Sequence, residues 1–390
     1  MIKSKHLSIV LIIVMLLAAF SGLISAQEAD FDFKAKSALL ADATTGKILF
    51  EKDMHETVYP ASITKIMTLI LSMEALEKGK IQMEDEVVVS ERAASMGGSQ
   101  IFLSQGDVIT VEDLLIGIAV GSGNDASVAI AEHISGSLEG FVDMMNQRAA
   151  ELGMENTRFL NACGLHVEGH HTTAYDVFLM SRALLQYPQV HEWFTIWMDE
   201  EFLKGKISEE GVFLSNTNRM VRYYSGCDGL KTGYTSPAGH CIAATAERDS
   251  TRFIAIIMNG PDSKSRFAEA QQLLDYAFAN YKTVHIAEKN EAMGRVQVEK
   301  GTETTVNLLL ADHVGILLKK SDEIDFDKEI KITHSLEAPI EKGEKLGELI
   351  VTGNGEEAGR EDLLADKDTA RASFFQLFQR IISKWVQFGR

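Results

Sequence analysis

Ser62 and Lys65 stand three residues apart in the stretch YPASITKIMT, a spacing that brings two side chains to one face of a helix within hydrogen-bond reach. A serine hydroxyl becomes a nucleophile when a base takes its proton, and a lysine can be that base when burial or a second cation lowers its pKa. Pro60 suits the position just ahead of a helix start, and Ile63, Ile66, Met67, Leu69 and Ile70 would surround the amine with apolar side chains. Taken alone, such a pair is more often a capped helix with a solvated lysine.

Two further stretches carry polar groups in tight settings. In AVGSGNDAS, Ser122, Gly123 and Asn124 fall in a break between two apolar helical runs, where a hydroxyl and a carboxamide would be held rigidly. The plain alternative is a helix-helix turn in which Asn124 or Asp125 caps the next helix. In DGLKTGYT, Lys231 and the Thr232 hydroxyl would suit an anionic extended ligand, and Gly233 would let its backbone lie along the strand. An edge strand with a protective lysine is the alternative there.

The order SxxK, SxN, KTG is the motif set of β-lactamases and penicillin-binding proteins. With Ser122-Gly123-Asn124 in the middle, the chain resembles the low-molecular-mass penicillin-binding proteins that act as serine-type D-alanyl-D-alanine carboxypeptidases. SALLADATTGKILFEKD, FLNACGLHVEGHHTTAYD and CDGLKTGYTSPAGHCIAAT carry the same resemblance, which runs from about Lys34 to Asn280.

The resemblance implies that Ser62 attacks the carbonyl between two terminal D-alanines of a peptidoglycan stem peptide, forming an acyl-enzyme that water hydrolyses. Lys65 would accept the Ser62 proton, Ser122 would relay it to the leaving amine, and Asn124 would orient Lys65 and the substrate amide. Lys231, Thr232, Gly233, Thr235 and Arg266 are expected along the substrate and its carboxylate. The backbone N–H groups of Ser62 and Tyr234 would form the oxyanion hole. β-Lactams would trap the same serine, and no cofactor or metal is implied. A class A β-lactamase would need a Glu-x-x-Leu-Asn loop, which TRFLNACGLHVEGHHTTAYD lacks. A transpeptidase or endopeptidase, or a β-lactam sensor that never turns over, shares the acylation and stays open.

These residues need an α+β scaffold. SALLADATTGKILFEKD reads as two strands around the Thr44-Thr45-Gly46 turn, and GLKTGYT, HCIAATAERDS and TRFIAIIMNG read as neighbouring antiparallel strands covered by a helix, SRFAEAQQLLDYAFANY. The expectation is a β-lactamase/transpeptidase-like catalytic domain of antiparallel sheet and helices over residues 30–282. Short strand-like runs then predict a small all-β domain over 284–352.

Both ends differ from the middle. Lys3 and Lys5, an apolar run from Leu7 to about Phe20 and small residues to Ala26 have the layout of a cleaved secretory signal, 1–26. GNGEEAGREDLLADKD, 353–368, reads as an acidic linker. In 369–390, Phe374, Phe378, Ile381, Trp385 and Phe388 recur at helical spacing beside Arg371, Arg380, Lys384 and Arg390, which predicts an amphipathic helix lying in a membrane surface. The expected place of work is the outer face of the cytoplasmic membrane.

With 390 residues, 45% hydrophobic and 24% charged, the chain is a folded one. A net charge of −18 argues against a nucleic-acid partner. Cys163, Cys227 and Cys241 have no CxxC spacing, which leaves buried thiols or one Cys227–Cys241 bridge. His166, His170 and His171 cluster without an HExxH motif, and the resemblance implies that they lie in a structural loop near the site, with no metal.

Overall fold

The run SALLAD is apolar at most positions, and it forms a fully buried strand, β1 (Ser37–Asp42). A strand buried on both faces belongs inside a sheet. One edge of β1 pairs with β2 (Ile48–Lys52), and the intervening turn is closed by Asp42, whose carboxylate accepts the Thr45 N–H and hydroxyl at 2.6 and 2.7 Å. The other edge pairs with β5 (Thr251–Gly260), followed outward by β4 (Gly239–Arg248) and β3 (Cys227–Thr235). The sheet is antiparallel throughout, in the order β2-β1-β5-β4-β3, so the strand bearing Lys231 and Thr232 is an edge strand.

The computed structural model describes residues 31–209, 213–332 and 336–380. It divides into Met1–Lys34, in which Phe31 and Phe33 stack at 4.8 Å, and Ala35–Arg390, which holds every element below. The expected signal, 1–26, lies outside the described residues.

One helix, α1 (Lys65–Glu77), is buried almost all round, as a core helix must be when apolar residues occupy every face. Around it pack α2 (Asn124–Ser135), α3 (Leu138–Glu151) and α4 (Ala174–Leu184). Side-chain caps open α3 and α4: Ser137 accepts from Gly140 N and Thr173 from Asp176 N. The predicted covering helix is α5 (Ser263–Asn280), which lies across β4 and β5. The α+β expectation for the catalytic domain holds.

Between Tyr281 and Ala365 the described elements are all strands. β6 (Tyr281–Ala287) pairs with β9 (Val314–Lys319). β7 (Ala292–Gln297), β8 (Thr305–Leu310), β10 (Phe326–Ile332), β11 (Lys345–Gly353) and β12 (Glu356–Ala365) form a second sheet in the order β7-β8-β12-β11-β10.

Here the structure corrects the sequence reading. The segment 353–368 is not a linker: it turns at Asn354-Gly355, both with positive φ, and becomes β12 in the middle of that sheet. Several of its charges are held in surface ion pairs, Arg360 with Glu357 and Glu348, and Asp362 with Lys345. Leu363 and Ala365, exposed 0% and 2%, fill the core. Leu363→Ala should therefore lower stability by about 2–5 kcal/mol, read by thermal or denaturant unfolding; a linker residue would cost nothing measurable.

Thr369 and Arg371 still bridge to Ile340 and Gly301, so the terminal helix starts at 374, not 369. Of this helix 374–380 are described, with Phe374, Phe375 and Phe378 exposed. The rest of the predicted helix, 381–390, lies outside the described residues. No described helix is long and apolar enough to cross a membrane. All three cysteines are buried and free.

Candidate active site

Ser62 lies in a short 3-10 turn, Ala61–Thr64, that feeds into α1. Two close approaches hold this turn. An added Cβ on Gly164 would fall 1.8 Å from the Ala61 carbonyl oxygen, and one on Gly233 would fall 3.0 Å from the Ser62 nitrogen. Ala61 itself has φ +46, a left-handed conformation that is strained for a residue with a side chain. Gly233 was expected to make room for substrate; in the fold its bare α-carbon also makes room for the backbone of the residue proposed to attack.

Three acceptors converge on Lys65. Its Nζ donates to Ser62 Oγ at 3.1 Å, to Asn124 Oδ1 at 2.6 Å and to the Cys163 carbonyl at 2.7 Å. The amine is fully buried, whereas Ser62 is only half-buried at the cleft. Burial lowers the Lys65 pKa to about 8, against the opposing influence of Cys163 and Asp125.

Asn124 is fixed in turn, since its Nδ2 donates to Gly97 O at 2.7 Å, leaving Oδ1 toward the lysine. Asn124 and the Cys163 carbonyl thus present only acceptors. A neutral Lys65 donating its two N–H groups to them would aim its lone pair at Ser62 Oγ, the geometry that a general base needs.

Ser122 ends a π-helical turn, Gly117–Gly121, with φ +63 and is almost buried. Two residues on, Asn124 opens α2, and Asp125 beside it accepts N–H groups from Ile101 and Leu103, tying that loop to the helix start.

Across the cleft, Lys231 is fully buried and its pKa is held well below the usual lysine range, first by burial and then by the positive charges of Lys65 and Arg266. Two lysines in one desolvated site favour deprotonation of one another. The Thr232 hydroxyl donates to Thr217 Oγ1 at 2.9 Å, and Thr217 N–H donates to Val120 O, linking the KTG strand to the turn before Ser122. Tyr234 stands exposed, its ring stacked on His240 at 4.4 Å.

Two residues expected along the substrate have other partners. Thr235 Oγ1 accepts Ala238 N–H in the β3–β4 turn. Arg266 donates to the Gly233 and Cys241 carbonyls at 3.2 Å and lies over the Phe267 ring. Burial lowers its pKa to about 10, Cys241 opposing and Arg219 adding to the shift. In this geometry Arg266 braces the KTG strand from behind.

The three histidines have separate partners. His166 packs edge-on against Tyr59, His171 Nδ1 faces Gly169 O, and His170 is buried behind the site. Cys163, Thr217, Asp125 and His170 were not singled out as site residues, because each acts through a backbone group or from behind. A separate cavity of about 510 Å³, lined by Arg182, Arg252, His285, Glu288 and His313 among others, contains none of the motif residues.

Comparison with known proteins agrees with this geometry. The model of the D-alanyl-D-alanine carboxypeptidase family matches residues 24–262, and that of the penicillin-binding protein 5 C-terminal domain matches 281–371. The chain is 42% identical to D-alanyl-D-alanine carboxypeptidase DacF of Bacillus subtilis, over 98% of its own length and 99% of that protein. It is 30% identical to DacA of Escherichia coli over 87% and 85% of the two chains.

Among solved structures it is similar to penicillin-binding protein 5 of Haemophilus influenzae, with a TM-score of 0.70, 28% identity and coverage of 88% of this chain and 99% of that one. It is also similar to the ampicillin-bound penicillin-binding protein D2 of Listeria monocytogenes, with a TM-score of 0.57, 28% identity and coverage of 64% and 99%. The chain belongs to the D-alanyl-D-alanine carboxypeptidase family, with a penicillin-binding protein 5 C-terminal domain behind its catalytic domain.

Proposed function

We propose that this enzyme removes the terminal D-alanine from peptidoglycan stem peptides through an ester on Ser62. The observation that carries the reading is the buried amine of Lys65, low in pKa and 3.1 Å from Ser62 Oγ. Ser62 Oγ bonds to the carbonyl carbon while its proton passes to Lys65. The C–N bond then breaks as the leaving amine takes a proton by way of Ser122. Water then adds to the ester carbonyl with Lys65 again accepting the proton, and the bond to Ser62 Oγ breaks as Lys65 returns that proton to the serine oxygen, releasing the shortened peptide.

The developing oxyanion would lie between the backbone N–H groups of Ser62 and Tyr234. Lys231 and Thr232 would receive the terminal carboxylate, and the free edge of β3 would take the extended peptide as an added strand. A β-lactam would be opened by the same attack and retained.

The enzyme would work at the outer face of the cytoplasmic membrane. The basic, apolar and small segments of 1–26 and the exposed Phe374, Phe375 and Phe378 support this location.

Release of D-alanine from a pentapeptide, with the penicillin adduct mapped by mass spectrometry to the peptide containing Ser62, tests the chemistry. An adduct on another residue, or no release from folded protein, would sink it. Flotation with anionic lipid vesicles, compared with protein ending at residue 373, tests the location; equal flotation of the two would count against it.

A further inference from the structure

Three side chains of one helical stretch reach the same loop. Lys65 Nζ bonds the Cys163 carbonyl, Thr68 Oγ1 donates to Ala162 O at 2.6 Å, and Thr64 Oγ1 meets His170 Nε2 at 3.0 Å. His170 is 2% exposed, and its other nitrogen faces the loop: Leu160 N–H donates to Nδ1 at 3.3 Å, with Asn161 Nδ2 at 3.4 Å. An acceptor Nδ1 requires the proton on Nε2, so His170 donates to Thr64. Asn161 carries the connection onward, its Oδ1 accepting the N–H groups of Cys163 and Gly164 at 3.1 and 2.6 Å. The imidazole therefore joins the stretch that supplies the nucleophile and base to the turn that presents the Cys163 carbonyl.

We propose that His170 is a positioning residue for Lys65: by bridging Thr64 and the Leu160–Asn161 segment, it fixes the carbonyl that sets the direction of the lysine lone pair. The inference rests on the reading of Lys65 as the base. Of the two acceptors that orient a neutral Lys65, Asn124 is secured by Gly97 and the Cys163 carbonyl by this bridge. Losing one leaves the amine free to rotate away from Ser62 Oγ, and displacements of about 1 Å near reacting groups cost up to roughly 100-fold in rate.

His170 is suited to a constant role. Burial first, then the neighbouring His171 and His166, hold its pKa near 4, so it stays neutral across the range in which Lys65 titrates. The charged and titratable groups acting on Lys65 are Asp125, Cys163 and Lys231, and none of these is altered in the test.

The test is the second-order rate of acylation by a β-lactam, followed from pH 6 to 10, in the full chain and in Thr64→Val, His170→Ala, His170→Gln and Lys65→Met. Thr64→Val keeps the shape and removes only the hydroxyl. Expected are plateau rates about 10- to 100-fold lower for Thr64→Val and His170→Ala. Their rising limbs should also move to lower pH, because a displaced carbonyl no longer supports the ammonium form. His170→Gln, which can donate to Thr64 and accept from Leu160, should recover most of the rate.

Thr64→Val and His170→Ala acting like the parent in both rate and pH profile, with Lys65→Met inactive, would overturn this inference alone. A loss of rate with an unmoved limb would also overturn it, as simple loss of folded enzyme. Lys65→Met acylating normally would overturn the underlying assignment of the base.

Discussion

Ser62→Ala should lower D-alanine release by on the order of 10⁶-fold, the scale of losing the nucleophile of a serine peptidase, and should leave no covalent penicillin adduct. The substitution removes one hydroxyl from a turn gripped by Gly164 and Gly233, and Lys65 keeps its bonds to Asn124 and Cys163. The fold should accordingly survive, with unfolding within about 1 kcal/mol of the parent. Intact-mass measurement after incubation with penicillin reads the adduct, and thermal unfolding reads the fold. A stable adduct on folded Ser62→Ala protein would refute the assignment of the nucleophile.

Lys65→Arg should cost about 10²–10⁴-fold in acylation, the range assigned to general-base catalysis, since a guanidinium stays protonated and cannot take the Ser62 proton. The sign of the pH dependence follows from the same lysine. Burial places its pKa near 8, so roughly a tenth of the amine is neutral at pH 7 and most of it above pH 9. Acylation of the parent should rise about tenfold per pH unit below 8 and level off above, because the active form is the deprotonated one. In Lys65→Arg that limb should vanish. Stopped-flow acylation across pH reads both effects, and a limb that persists in Lys65→Arg would assign the titration to another group.

The members of the site were legible because their residue types and order carry the signal. Asn124 and Lys231 are far in sequence from the Ser62–Lys65 pair, and the fold brings Ser62 Oγ and Asn124 Oδ1 within 3.1 Å of the Lys65 amine. The Cys163 carbonyl was invisible for a physical reason: every residue has one, so a backbone acceptor leaves no mark in composition. Gly233 was noticed for the ligand it could admit, whereas its packing against Ser62 depends on a turn about 170 residues earlier. Arg266 was expected at the carboxylate, and nothing local could show that the Gly233 and Cys241 carbonyls would engage it.

In the second domain the alternating strands were readable, but β12 was hidden by its acids. Charge suggested solvent, and solvent suggested a linker, although a strand can pair many charges at the surface while Leu363 and Ala365 lie in the core. The Asn354-Gly355 pair, a strong two-residue hairpin signal, was the feature that should have prevailed.

The placement of β1 between β2 and β5 also dictates an order of events during synthesis. Ser37 pairs with Met258, so the strand made nearly first completes its ladder only after about two hundred further residues have been made. Until then the β1–β2 hairpin has both edges unpaired, and isolated hairpins are marginal in water. Long-range pairing of this kind is slow because loop closure precedes its reward. The catalytic sheet therefore cannot close on a growing chain before residues 251–260 arrive.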